Sequence, residues 1–170
     1  KTIYQLDDTS YVDDAVEVSE KSYCYRIGIN DQCSHVSKPS NDSCNIVLTG
    51  QAGKLFFDLD WTPYRNWIGG VKQYELERMV DTGQFRKIAN TQLLRTYNDI
   101  DLDIWWGAYY YVVKAFEGLN ANGEGKNAMS RSNEIRLIQP PLVFVPNAFT
   151  PNNDGANDIL YIRSNFVTEV

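Results

Sequence analysis

The sequence holds a single histidine, His35, and only two methionines among its 170 residues. One imidazole leaves few partners for zinc or for a charge-relay arrangement. No CxxC pair and no Gly-rich phosphate loop occurs. Long apolar runs are missing as well. The longest, Ile104 to Val113, is interrupted by Gly107 and falls short of the ~18 residues that cross a bilayer. Basic residues are outnumbered, 16 Lys+Arg against 22 Asp+Glu for a net charge of −6. That balance argues against a nucleic acid partner, which needs clustered cations, and against membrane insertion or a basic surface helix. The chain opens on Lys1 with no apolar leader, so it reads as a mature or excised fragment.

What is present is apolar and aromatic: 43% hydrophobic residues and 11 tyrosines. This composition excludes a disordered tail and suits pleated sheet better than helix bundles. Period-two alternation runs through Leu55, Phe57, Leu59 and Trp61, then Tyr74 and Leu76. It returns in Tyr109, Tyr111, Val113 and Ala115, and briefly in Ile135 and Leu137. Thr62-Pro63, Gly69-Gly70, Asp81-Thr82-Gly83 and Asn120 to Gly125 separate these rows as turns. An internal repeat is also visible. Thr9-Ser10-Tyr11-Val12-Asp13 aligns with Arg95-Thr96-Tyr97-Asn98-Asp99, and Tyr23-Cys24-Tyr25 with Tyr109-Tyr110-Tyr111, at an offset of 86. Ser40-Asn41 aligns with Ser132-Asn133 at an offset of 92, the six extra residues falling in the loop Gly118 to Lys126.

Trp61 ending an early strand, then Tyr74-x-Leu76, then Tyr109-x-Tyr111-x-Val113-x-Ala115, resembles a fibronectin type III domain over residues 49–138. The resemblance implies an immunoglobulin-like β-sandwich of seven strands, A to G. Trp61 and Tyr74 would lie in its core with Tyr111, and Tyr109 would be the tyrosine of the E–F corner, its hydroxyl bonded to nearby backbone. Residues 1–48 match the C-terminal half of the same module, with strands A to C expected upstream of Lys1. Residues 139–143, with Pro140-Pro141, read as an extended linker. From 144 to 170 the chain changes character. Pro146-Asn147-Ala148-Phe149-Thr150-Pro151-Asn152-Asn153-Asp154-Gly155-Ala156-Asn157-Asp158 is similar to the opening of the gliding-motility-associated C-terminal domain of Bacteroidota, the type B sorting module of type IX secretion. That resemblance implies export to the cell surface, with the type IX translocon and a PorP/SprF-like outer-membrane barrel as partners.

Candidate sites each have a plainer rival. Asn152, Asp154 and Asp158 offer oxygens to calcium, but the spacing misses an EF-hand loop and Asp154-Gly155 is equally a turn. No metal or other cofactor is therefore expected, calcium being the one candidate. Trp105 and Trp106 stack on a sugar ring in one reading. In the plainer one they fill the sandwich end and an inter-domain joint, and Trp67 and Tyr64 carry the same ambiguity. His35 beside Ser34 and Asp31 reads as a solvated loop histidine. Asp99, Asp101 and Asp103 alternate as a solvated sheet face, which is not the opposed acid and base of a catalytic cleft. The chain is accordingly expected not to be an enzyme.

Three cysteines, Cys24, Cys33 and Cys44, fit a disulfide in a secreted protein. By the fibronectin-like register, Tyr23, Tyr25 and Ile27 point inward on strand F, which turns Cys24 outward. The repeat sets Cys44 at the place of Arg136, also outward on the neighbouring strand. Cys24–Cys44 is the expected bridge, and Cys33–Cys44 is the alternative. The fold class is thus all-β: tandem immunoglobulin-like sandwiches and the start of a C-terminal β module. The expected function is a spacer and adhesion segment at the cell surface, touching polysaccharide or protein. The second reading is a carbohydrate-binding accessory module of a polysaccharide-degrading enzyme.

Overall fold

A computed structural model describes residues 10–29, 33, 35 and 37–167, and among them it is all-β, with no helix. Lys1, Thr9, Asp31 and Ser34, which figure in the reading above, lie outside the described residues. Twelve strands follow in order: β1 (Cys24–Tyr25), β2 (Ser43–Cys44), β3 (Leu48–Gly53), β4 (Phe56–Trp61), β5 (Val71–Val80) and β6 (Arg86–Gln92). Then come β7 (Thr96–Asp99), β8 (Ala108–Glu117), β9 (Met129–Arg131), β10 (Ile135–Ile138), β11 (Leu142–Phe144) and β12 (Arg163–Asn165). Every pairing is antiparallel.

The centre is a sandwich. One sheet has the order β3-β4-β7 and the other β10-β8-β5-β6, with β9 also on β8. Alternation supplies both inner faces. Phe57, Leu59 and Trp61 from β4 meet Tyr74 and Leu76 from β5 and Tyr109, Tyr111, Val113 and Ala115 from β8 in one buried cluster. Phe57 packs edge-on against Tyr109 and Tyr111, with centroids 5.6 and 6.0 Å away, and Trp61 against Tyr74 at 5.9 Å. Gly50 permits the close approach of β3: a Cβ there would lie 2.8 Å from Leu137 and 2.9 Å from Leu59. Leu55 does not join the row it opens in sequence. It is a turn residue at φ 63°, and β4 begins after it.

The sandwich takes in more chain than 49–138. Ile46 and Leu48 are fully buried in its core, so the chain enters directly from the N-terminal hairpin. At the other end, 139–143 is not a plain linker. Gln139 is 1% exposed, and Leu142 is buried where it opens β11.

Residues 10–45 repeat the bonding of the later corner and hairpin. The Tyr23 hydroxyl accepts the Glu17 N–H (3.3 Å), as Tyr109 accepts that of Asp103 (2.7 Å), 86 positions on. Tyr25 donates to the Asp13 carboxylate as Tyr111 donates to Asp99. Ser40 and Ile27 exchange backbone and hydroxyl bonds of 2.8 and 2.9 Å, and Ser132 and Val113 do the same at the same two lengths. In this copy the face that carries Tyr25 and Ile27 is not inward. Both are exposed, because no described strand covers them.

Candidate functional site

At the end of the sandwich the connection from β7 to β8 turns a corner over residues 100–107. Tyr109 anchors it, its hydroxyl receiving the Asp103 N–H and donating to the Asp103 carbonyl at 3.1 Å. Gln139 holds the same turn from the other side. Its amide donates to the Asp103 and Trp106 carbonyls, each at 3.0 Å, and its backbone N–H to Gly107 at 2.8 Å. Asp103 caps the turn by accepting the Trp105 N–H at 2.9 Å. Phe166 lies over Gly107, close enough that a Cβ there would be in ordinary van der Waals contact with its ring at 3.4 Å. The turn is therefore fixed by at least five hydrogen bonds drawn from three directions.

Beneath it lies an ion pair. Arg78 of β5 reaches both carboxylate oxygens of Asp99, at 2.9 and 3.0 Å, and the Asp101 carbonyl at 2.7 Å. Tyr111 donates to Asp99 at 2.7 Å, and the Asp101 N–H adds a bond at 3.2 Å. Asp99 is 1% exposed, which corrects its assignment to a solvated face, whereas Asp101 and Asp103 are exposed. Alternation itself turns Asp99 inward, two residues beyond half-buried Tyr97 and opposite fully buried Phe57, and β7 ends there, so Asp101 and Asp103 do not share its face. Burial first, then the bond to Asp99 and its charge, pushes the Tyr111 phenol far above its ordinary value. Burial likewise pushes Tyr109 up.

Above the ion pair opens a cleft of about 430 Å³, with Arg78, Asp101, Asp103 and Trp106 in its walls. The tryptophans do not fill the sandwich end as the plainer reading had it. Trp105 is 81% exposed and Trp106 45%. Tyr64 and Trp67 behave differently: they stack on each other at 3.9 Å, with Tyr64 buried and donating its N–H to Tyr74. Glu117 is a second buried carboxylate. Although burial works to raise its pKa, N–H donors from Lys126, Ala128 and Gly69 hold it below the usual range. It ties the loop after β8 in place.

The Asx-rich motif 146–158 forms a closed turn. The Thr150 N–H reaches the Asn157 carbonyl at 2.8 Å, and Asn153, Gly155 and Asn157 take positive φ, which Asn and Gly tolerate. Asp158 accepts the N–H groups of Asn153 and Gly155 on its two oxygens. The Ala156 N–H, then the Asn152 amide, lowers the pKa of Asp154. No group of three or more His, Cys, Asp or Glu placed to hold a metal occurs among the described residues. Pro146, Asn147, Phe149 and Pro151 lie on the exposed surface of this segment.

Cys24 and Cys44 form a disulfide, directly opposite each other with Cα atoms 4.0 Å apart. Cys24 is exposed, but Cys44 is 7% exposed and not outward-facing: it sits against Asn66, which donates to its sulfur at 3.8 Å. In the second copy the equivalent pair is Tyr110 and Arg136, whose guanidinium lies over the ring at 5.9 Å. Cys33 and His35 are both exposed near the hairpin tip.

Fold and corner together define an all-β sandwich protein with a rigid aromatic-bearing turn. No protein-family model matches the sequence, and no curated protein matches it. Among solved structures, the chain is similar to pectate lyase PelI from Erwinia chrysanthemi, solved with tetragalacturonic acid. Identity there is 20%, over 54% of this chain and 28% of that one, with a TM-score of 0.43. Two structures of pectate lyase Pel3 from Pectobacterium carotovorum match at 22% and 21% identity, covering 58% and 63% of this chain, with TM-scores of 0.43 and 0.40. The chain spans 28% of the length of each of these lyases.

Sequence reasoning missed Arg78 and Gln139. Arg78 had a signal, a cation at an alternate position of a strand otherwise facing a core. Gln139 had none, because Pro140-Pro141 directed attention to an extended chain.

Proposed function

We propose that this chain is a non-catalytic segment of a secreted or cell-surface protein. Its fibronectin-like modules serve as spacer and adhesion units, and the segment from residue 144 serves as a type IX sorting and attachment signal. The observation that carries the reading is the motif 146–158. Its similarity to the type B sorting module is one of sequence, and each polar residue from Asn152 to Asp158 has a bond or a backbone angle to account for it. The bonding shared by residues 10–45 and the later corner and hairpin supports a serial, modular chain. The disulfide fits an oxidising compartment. The ionisable groups with buried partners, Arg78, Asp99 and Glu117, are engaged with each other or with backbone, which leaves no opposed acid and base among them.

The test is localisation. In a bacterium with type IX secretion, the gene product should reach the surface when residues 144–170 are intact and stay periplasmic when they are deleted. Asp158→Ala, which opens the Asx turn, should reduce surface display. Unchanged display of the deletion would overturn the reading.

A further inference from the structure

The turn at Glu17 to Lys21 and the turn at Asp103 to Gly107 are the same structure built twice. Each has a tyrosine hydroxyl accepting the first N–H. Each closes with a backbone bond three residues on, Glu20 to Glu17 at 3.1 Å and Trp106 to Asp103 at 3.4 Å. Ser19 and Glu20 occupy in the first turn the places that Trp105 and Trp106 occupy in the second. The corner therefore folds without tryptophan, and the two indoles are not there for the fold. Leaving them in water forfeits the apolar burial that a large aromatic side chain provides inside a protein. Yet Trp105 is 81% exposed on a turn that Gln139, Tyr109 and Asp103 hold rigid. A fixed turn presenting an exposed ring is pre-organised in its backbone, since little loop freedom remains to be lost on binding.

We propose that the Trp105–Trp106 turn and the cleft beside it bind a neutral polysaccharide. The axial C–H face of a pyranose ring is apolar and flat enough to lie on an indole, while its equatorial hydroxyls point sideways to polar partners. Trp106 forms a wall of the cleft, and the Asp101 carboxylate, 97% exposed, offers hydroxyl acceptors at its rim. Charge decides which sugar. Asp99, Asp101 and Asp103 outnumber the one cation here, and Arg78 is already occupied by Asp99 and Asp101. The field is negative, so an acidic polysaccharide or an anionic lipid surface is repelled and an uncharged glycan is not. The site stands apart from the sorting reading: a chain that never meets the type IX machinery would still carry it.

Calorimetric titration of the full chain tests this, with cellohexaose, xylohexaose and mannohexaose as neutral probes, and polygalacturonate and phosphatidylglycerol vesicles as charged ones. Saturable binding of at least one neutral probe is expected. Trp105→Ala and Trp106→Ala should each weaken it about tenfold or more, ~1.4 kcal/mol, with the thermal unfolding of Trp105→Ala unchanged. Asp101→Asn should keep most of the affinity, because an amide still pairs with hydroxyls. No saturation by any neutral probe at millimolar concentration overturns the proposal. So does binding that neither tryptophan variant weakens, or tighter binding of polygalacturonate or of the vesicles.

Discussion

Residues 46–139 and the segments on either side of them use the same strand chemistry with opposite results. In the sandwich, Phe57, Trp61, Tyr109 and Tyr111 disappear from solvent. In the flanks, Tyr25, Ile27 and Ile29, and then Val143, Phe144, Val145, Ile159, Tyr161 and Ile162, stay in water. Propensity is not the difference, since both regions are rich in β-branched and aromatic residues. The difference is layers. A two-stranded sheet has no opposing face to bury its apolar side against, and β1-β2 and β11-β12 each have only two strands. The sheets β3-β4-β7 and β10-β8-β5-β6 cover each other.

The widest gap should appear on truncating one aromatic in each region. Trp61→Ala removes a ring that is 1% exposed and should cost roughly 3–5 kcal/mol in denaturant unfolding. Phe144→Ala, in a half-exposed strand, should cost under about 0.5 kcal/mol. Similar losses would mean that the two regions are packed alike. Next comes the buried carboxylate. Asp99→Ala strands Arg78 and the Tyr111 hydroxyl, and a loss of about 3 kcal/mol is expected. The equivalent Asp13→Ala in the exposed hairpin should cost a fraction of that.

Reduction of Cys24–Cys44 reverses the comparison, because its effect belongs to the flank. A loop of this length contributes about 3 kcal/mol by the chain-entropy estimate, so reduction should speed hydrogen exchange across residues 24–44. The exchange of β5 and β8 should stay unchanged. The smallest effect is alkaline. The folded pKa of Tyr111 is raised, so its contribution is complete below the ordinary pKa of 10.0 and is lost as pH rises above it, where the unfolded phenol ionises and the folded one does not. Unfolding free energy should fall above that pH by up to ~1.4 kcal/mol per unit for this group. Tyr111→Phe should flatten the slope more than Tyr25→Phe, because the Tyr25 phenol is also raised but stands exposed.

Much of this was legible in the residues. Alternation at Phe57, Leu59 and Trp61 and at Tyr109 to Ala115 marks the inner faces. The repeat locates a second corner, because a Tyr-x-Tyr strand preceded by an acidic residue at fixed distance carries its own hydrogen-bonding logic. The cysteine pair follows from strand register. What was not legible depends on where strands stop. Asp101 and Asp103 leave the face of Asp99 because β7 ends there, and Leu55 is a turn because a hairpin needs a left-handed residue. Neither fact leaves a mark on a period-two pattern. The exposure of Trp105 was equally hidden, since an aromatic in a loop reads the same whether it plugs a core or faces outward.

The disulfide described earlier also sets a mechanical length. Under tension applied at its two ends, a chain lengthens by about 3.4 Å for each residue released from its fold. The bridge spans a sequence separation of 20 residues between Cα atoms 4.0 Å apart. It therefore withholds about 64 Å of contour from any pull. A tether carrying this hairpin is that much shorter when oxidised, and thiol reduction alone would pay the hidden length out.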